Sequence, residues 1–255
     1  MQGLLGILIG VGVLVLAHSI EGGRVSELLN LPAAIIVIGG TFAAAAVQSP
    51  KRDFARAMEL LGWALREDQH RVRETIDRIK SWCRASRVSG LVALEREIPK
   101  SSDPFERRAL QLLADAQSPS IVRAVLETEL ARVENRDMHA ARVVESMGGY
   151  APTLGILGAV LGLIQVMSNL SDPTVLGKGI ATAFVATIYG VGLANLVLIP
   201  LSKKIKRLII GRSEYYELIM DGVSFIAEGH TPGEVEQRLQ GYLEETHGKA
   251  KTDRG

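Results

Sequence analysis

Four apolar stretches without a single Lys, Arg, Asp or Glu constrain this chain more than any other feature. They cover residues 1–20, 30–49, 146–170 and 179–202. A helix needs about 20 residues to cross a hydrocarbon core of about 30 Å, and each stretch is about that long. The start Met1-Gln2-Gly3 contains no basic residue and residues 14–18 form a weak cleavage site, which favours a retained span over a cleaved signal peptide. The pattern predicts an all-α membrane protein with four transmembrane helices.

The distribution of basic residues predicts the orientation of these spans. Of the 29 Lys and Arg residues, 18 lie in 51–145 and 9 in 203–255, which leaves only Arg24 and Lys178 in the short connections. Because basic segments stay on the cytoplasmic side, both long segments and the two termini are expected in the cytoplasm.

Helix signals in the polar segments predict a helical cytoplasmic domain built from two separated pieces. Asp103 with Pro104 and Glu106 has the composition of a helix start, and so has Thr231 with Glu234. The predicted division is 1–49 for the first hairpin of spans, 50–145 for the cytoplasmic domain, 146–202 for spans three and four, and 203–255 for C-terminal helices. A final helix is expected to end near residue 245, followed by a disordered tail.

A long helix is expected to rise from the cytoplasmic segment into span three. Apolar residues between 122 and 144 follow helical spacing, and no helix breaker intervenes before Gly148 and Gly149, which are candidates for a bend. The single cysteine, Cys83, lies in the cytoplasmic part and favours a buried structural thiol over a reactive one.

Small residues recur every fourth position in spans three and four. They are Ala151, Gly155 and Ala159 in span three, and Thr182, Ala186, Gly190 and Ala194 in span four. Small residues at this spacing allow close approach of helix backbones in a membrane. Two interpretations remain open: the faces pack on each other within one chain, or one of them receives a helix from another chain.

Polar residues and prolines in these spans have two interpretations as well. For the threonines, hydrogen bonds to the backbone of their own helix are favoured over a role in lining a pore. Pro152 and Pro200 indicate kinks, either static or acting as hinges beside an ion pathway. No P-loop, no nucleophile elbow and no metal-ligand spacing occurs in the sequence, so catalysis, metal binding and a cofactor are not expected.

Several segments together resemble the flagellar motor stator A-subunits, the MotA and PomA family, within the wider superfamily that includes TolQ and ExbB. The similarity covers nearly the whole chain. It rests on the two-plus-two span layout and on these segments: Arg87 with 90–95, 151–158, 167–173, 187–190, 195–200 and 218–223.

This resemblance implies an ion-driven stator of the flagellar motor in the bacterial inner membrane. Five copies are expected around two copies of a MotB- or PomB-type B-subunit, which supplies the ion-binding aspartate. The cytoplasmic part is expected to contact the rotor protein FliG, and no nucleic acid partner is implied.

Residue roles follow from the resemblance by position. Arg87 and Glu95 match the charged pair that engages the rotor. The ion pathway and its coupling are assigned to Pro152, Ala159, Thr182, Thr187, Tyr189 and Pro200.

The choice of ion depends on one position. Sodium-type members have a threonine where this chain has Ala159, and a methyl group offers Na⁺ no oxygen ligand. Thr187 matches a threonine of both types, but its neighbour is Ala186. Protons are therefore favoured over a sodium-driven stator. Two hypotheses from different functional classes stay open beside the stator: a TolQ/ExbB-like energising subunit for envelope transport, and a structural membrane scaffold.

Overall fold

The structure, a computed structural model, describes residues 2–65, 72–168 and 173–252, and these are helical or in short turns, with no strand among them. The α-helices are α1 (Gln2–Ile20), α2 (Leu31–Ala34), α3 (Gly40–Gln48), α4 (Lys51–Ala64), α5 (Val72–Ser89), α6 (Pro104–Ala114), α7 (Pro119–Met167), α8 (Pro173–Gly192), α9 (Ile199–Ala227) and α10 (Pro232–Thr252). The predicted all-α class is confirmed.

Two π-helical segments join helices that the sequence pattern treats as single spans. Ile35–Gly39 links α2 to α3, and Leu193–Leu198 links α8 to α9. Pro200 lies two residues after the end of the second segment. Its ring crowds the preceding turn and it has no backbone N–H to donate, which accounts for a wider turn at this point. Sequence patterning does not reveal such a register change, because the apolar composition is the same on both sides.

Three helical stretches are long and apolar enough to cross a membrane among the residues described: Val25–Gln48, Pro119–Met167 and Leu176–Ala227. The first predicted span appears as a shorter apolar helix, Leu4–Ile20. The chain is thus a membrane-embedded protein with three clear candidate spans, and the fourth span stays a prediction.

The chain divides into two compact units. One comprises Met1–Glu67 and Arg136–Leu208, and the other Asp68–Asn135 and Ile209–Gly255. The divisions follow packing, whereas the four-part division made from sequence follows charge and apolarity.

Helix α7 confirms the long helix expected ahead of span three. It runs through Gly148, Gly149 and Pro152 without interruption. In the first unit its C-terminal part packs on α8. Ala33 of α2 and Val37 of the following π-helical segment also pack on α8, against Val185 and Ala186.

The second unit has its own hydrophobic core, built from α5, α6, the N-terminal part of α7, α9 and α10. The side chain of Asp103 accepts hydrogen bonds from the backbone N–H groups of Phe105 and Glu106, at 2.7 and 3.3 Å. Thr231 and Glu234 exchange the two bonds of a capping box, at 3.3 and 2.7 Å. Both predicted helix starts are therefore confirmed.

The C-terminal helix is longer than the sequence predicts. Helix α10 extends to Thr252, beyond the end expected near residue 245. Lys249, Ala250 and Lys251 favour a helix in this segment, and no proline interrupts it. The final residues 253–255 lie outside the described part, as do residues 169–172 of the matched segment 167–173.

Candidate functional site: an uncharged helix wall and an exposed charged tip

Helices α7 and α8 approach each other so closely that several contacts are between backbones. A Cβ built on Gly190 would lie 2.6 Å from the carbonyl oxygen of Ala151 and 3.0 Å from the Cα of Gly155. A Cβ built on Gly162 would lie 2.8 Å from the carbonyl oxygen of Gly179. Real Cβ atoms do not approach backbone this closely, so only glycine fits at these positions. The small-residue faces therefore pack on each other within one chain.

This packing settles one of the open interpretations for part of the two faces. Ala151, Gly155 and Gly190 are buried against the partner helix of the same chain. Ala159 lies on the same line of α7 as Ala151 and Gly155, and it is half-buried. A helix from another chain would have to contact a neighbouring face of this pair.

The threonines bond to their own helix, as their ordinary behaviour in membrane helices predicts. Thr187 donates to the carbonyl oxygen of Ala183 at 3.2 Å, and Thr182 donates to that of Lys178 at 3.0 Å. Asn195 donates to the carbonyl oxygen of Val191 at 3.0 Å. Each hydroxyl oxygen still has acceptor capacity for a further partner.

A polar cluster joins the start of α2 to α8. The side-chain amide of Asn30 donates to the hydroxyl of Thr182 at 2.8 Å, while its carbonyl oxygen accepts from the backbone N–H of Ala33 at 3.0 Å. The hydroxyl of Tyr189 donates to the carbonyl oxygen of Leu28 and accepts from the backbone N–H of Asn30. Thr182 and Tyr189 thus hold the hairpin of α1 and α2 against α8.

Asn30 is the member of this cluster that sequence reasoning missed. The signal for it is present, since an Asn two residues before Pro32 is a favourable helix N-cap. The pairing with Thr182 and Tyr189, more than 150 positions away, has no signal in the sequence.

The two prolines assigned to coupling differ in their exposure. Pro152 is inside α7 and half-buried, whereas Pro200 is exposed in the first turn of α9, just after the π-helical segment. Within the two spans no charged side chain is present between residues 146 and 170 or between 179 and 202. No group of three or more metal-ligating His, Cys, Asp or Glu side chains was found in the described ranges.

A buried ion pair, also missed from sequence, joins α4 to α7 in the first unit. Asp137 is fully buried and accepts two hydrogen bonds from Arg56, from Nε and Nη2, both at 2.8 Å. Arg136 donates to the same carboxylate at 2.9 Å. The hydrogen bonds that Arg56 donates to Asp137 raise the pKa of Arg56, so the guanidinium stays charged.

The predicted rotor-contact residues lie in the second unit, at one end of α5. Arg87 is exposed in the last turn of α5, and its Nη1 donates to the carbonyl oxygen of Gly229 at 3.1 Å. Glu95 is exposed on the 3₁₀ segment Leu91–Arg96. Gly90 links the two elements with a φ of +79°, a left-handed conformation that favours glycine.

Cys83 lies one turn before Arg87 and is fully buried. Burial raises the pKa of its thiol, which keeps it protonated at neutral pH. Its Sγ donates to the carbonyl oxygen of His230 at 3.3 Å. The expectation of a buried structural cysteine is therefore confirmed.

Comparison with known proteins agrees with this architecture. Motility protein A of Bacillus subtilis is 32% identical over 241 residues, covering 94% of this chain and 89% of that protein. Chemotaxis protein PomA of Vibrio alginolyticus is 28% identical over 242 residues, covering 95% of this chain and 94% of that protein.

The chain belongs to the MotA family of flagellar motor stator subunits.

The MotA/TolQ/ExbB proton channel family model matches residues 97–218. The structure of the flagellar MotAB stator complex from Bacillus subtilis superposes on this MotA-family chain with a TM-score of 0.84 and 32% sequence identity, covering 95% of this chain and 96% of that one. The resemblance inferred from the sequence motifs is thereby confirmed.

Proposed function

We propose that this MotA-family chain is the A-subunit of a proton-driven stator that turns ion flow into torque on the flagellar rotor. In this proposal it assembles with a MotB-type B-subunit, as its structural relative from Bacillus subtilis does in the MotAB complex. Five copies surround two B-subunits in the inner membrane. Each copy has four spans and both termini in the cytoplasm, and the rotor partner is FliG.

The absence of charge from the two spans 146–170 and 179–202 is the observation on which the proposal depends. An ion relay in a membrane uses ionisable side chains, and neither 146–170 nor 179–202 contains a charged one. A chain of a proton channel family without its own intramembrane carboxylate needs that group from a partner. The B-subunit aspartate, facing the wall formed by α7 and α8, supplies it.

The close packing of the wall supports a mechanical role. Gly155, Gly162 and Gly190 bring α7 and α8 into backbone contact, so the two helices move as one body. Pro152 in α7 and Pro200 in the first turn of α9 lie at the cytoplasmic ends of spans three and four, where a change in helix direction passes to the cytoplasmic part. Thr182 and Tyr189 contribute by fixing the first hairpin to α8.

Ala159 supports protons as the driving ion. Its methyl group offers no oxygen for a partly dehydrated Na⁺, whereas a proton needs only the partner carboxylate. Thr187 bonds to Ala183 and adds one hydroxyl to the wall. The curated relatives include PomA, so a sodium-driven stator is the outcome that the ion test must exclude.

Arg87 and Glu95 are the proposed contacts to the rotor. Both are exposed on adjoining elements of the second unit and carry opposite charges. Exposed charges contribute little to stability but steer association with a complementary surface. Their replacement is therefore expected to affect torque more than folding.

The test uses cells whose swimming depends on this chain and its B-subunit. Swimming that persists without sodium and stops when a protonophore is added supports the proton-driven stator. Swimming that requires sodium contradicts the choice of ion. Swimming at the parental speed after charge reversal of both Arg87 and Glu95 contradicts the rotor contact.

A further inference from the structure

Two side chains on one face of α5 hold two successive carbonyl groups of the turn between α9 and α10. Cys83 and Arg87 are four residues apart, which places them one helical turn apart on the same face. Cys83 donates to the carbonyl oxygen of His230 at 3.3 Å, and Arg87 donates to that of Gly229 at 3.1 Å. The turn is therefore attached to α5 directly beside the proposed rotor contact.

The turn itself has a well-defined backbone. Gly229 has a φ of +85°, and the N–H groups of Gly229 and His230 donate back to the carbonyl oxygens of Ile226 and Phe225 at 3.0 and 3.1 Å. This pairing ends α9, and the Thr231–Glu234 capping box begins α10 immediately afterwards. The direction of the Gly229 carbonyl is consequently set by the left-handed conformation of one glycine.

Additional contacts keep the turn in place. The ring of His230 packs edge-on against Phe225 with ring centroids 5.8 Å apart. The backbone N–H of Thr231 bonds to Glu234, and this bond, with others at the same carboxylate, lowers the pKa of Glu234. Because Glu234 stays ionised at neutral pH, the start of α10 remains capped.

A bond to Gly229 restricts a side chain that would otherwise sample many rotamers. An exposed arginine has a large conformational entropy, which is lost when it binds a partner. A guanidinium has five N–H donors, so one bond to a carbonyl leaves donors for an acidic partner. Fixing the side chain before contact lowers the entropic cost of each engagement.

We propose that the turn Gly229–Thr231 is a positioning element for Arg87, which it holds ready for a carboxylate on the rotor. This inference rests on the proposed rotor contact of Arg87. It assigns to the C-terminal part of the chain a role in torque that acts through α5.

The test compares Gly229→Ala in motors that carry Arg87 with the same change in Arg87→Ala motors. Gly233→Ala is the matched control, because it adds the same methyl group to α10 in open space without a positive φ. Torque per motor is measured on tethered beads at matched membrane abundance. We expect a loss of roughly twofold or more for Gly229→Ala with Arg87 present, and no further loss once Arg87 is replaced.

Equal fractional losses in both backgrounds, or no loss with Arg87 present, would overturn the positioning role. Parental torque in Arg87→Ala motors would instead overturn the rotor contact itself, so the two failures are distinguishable.

A second measurement decides the matter even where Arg87→Ala motors do not turn. Maleimide labelling of Cys83 reports whether the turn stays docked on α5. Torque and protection of Cys83 should fall together in Gly229→Ala and Gly229→Val, whereas Gly233→Ala should leave both unchanged. Torque that falls while protection is unchanged, or protection that falls while torque is unchanged, overturns the proposal.

Discussion

Replacing Gly190 by alanine is the most direct perturbation of the α7–α8 wall. The added Cβ would lie 2.6 Å from the carbonyl oxygen of Ala151, whereas ordinary contacts begin at 3.4 Å, so the helices must separate by roughly 0.8 Å. Both atoms that it meets within 3.0 Å belong to backbone, so no side chain can move aside.

Overpacking of this kind costs about 1–3 kcal/mol. In a chain of this length that corresponds to a fall in Tm of roughly 2–12 °C. Gly192→Ala is the matched control, because it lies in the same helix and its added Cβ meets nothing within 4 Å. The control should be neutral or stabilised by roughly 0.5–1 kcal/mol, the usual gain of alanine over glycine in a helix.

The assay is thermal unfolding of the purified stator complex in nanodiscs, followed by swimming speed at matched expression. We expect Gly190→Ala to melt earlier than the parent and to reduce swimming, while Gly192→Ala does neither. Equal melting temperatures for the two variants would refute the backbone contact between α7 and α8.

Three further predictions concern other contacts. Asn30→Ala removes both the cap of α2 and the bond to α8, and should lower the stability of the complex by about 1–2 kcal/mol. Asn30→Asp keeps the cap and should therefore lose less stability. Thermal unfolding checks both variants. Asp137→Asn should lower the free energy of unfolding by about 2–4 kcal/mol, because it leaves the charge of Arg56 without its buried partner. Glu59→Gln changes the exposed partner of Arg56 and should lower it by less than about 1 kcal/mol. Urea unfolding measures the difference. The raised pKa of Cys83 favours the protonated thiol in the folded state. Maleimide labelling should therefore stay slow up to and beyond a pH of about 8.5 and become fast on unfolding. Labelling of the folded protein as fast as that of a free thiol would contradict the burial of Cys83.

Apolar length and helix caps account for what could be predicted of the fold. Asp103 and Thr231 mark helix starts through local hydrogen bonds, which depend only on neighbouring residues, and both starts are confirmed. Helix α10 runs past the end predicted near residue 245, because helix propensity changes little there and no proline marks a stop. The π-helical segments were missed because their composition equals that of the α-helices around them.

Long-range pairs account for what could not be predicted. Small residues at every fourth position indicate close helix packing, but which residues contact Gly190 depends on the fold of the whole chain. From its neighbours in sequence, Asn30 has the pattern of a helix cap, and Asp137 that of a carboxylate on a helix surface. Their partners, Thr182 and Arg56, lie 152 and 81 positions away, where no local pattern points.

The candidate site is an intermediate case. The resemblance to the stator family identified candidate residues such as Ala159 and Arg87. The residues alone show only that the spans lack an ionisable side chain to carry an ion. The structure adds the close contact of α7 with α8 and the attachment of Arg87 to the α9–α10 turn. The roles of these residues in ion flow and torque stay predictions.

The central claim is that proton flow through this subunit and its partner drives rotation. The decisive measurement is the rotation rate of single tethered motors that contain only this stator, while sodium is removed and the proton motive force is then lowered stepwise. We expect a rotation rate that is unaffected by sodium removal and falls in proportion to the proton motive force. Rotation that stops without sodium, or that continues after the proton motive force has collapsed, would contradict it.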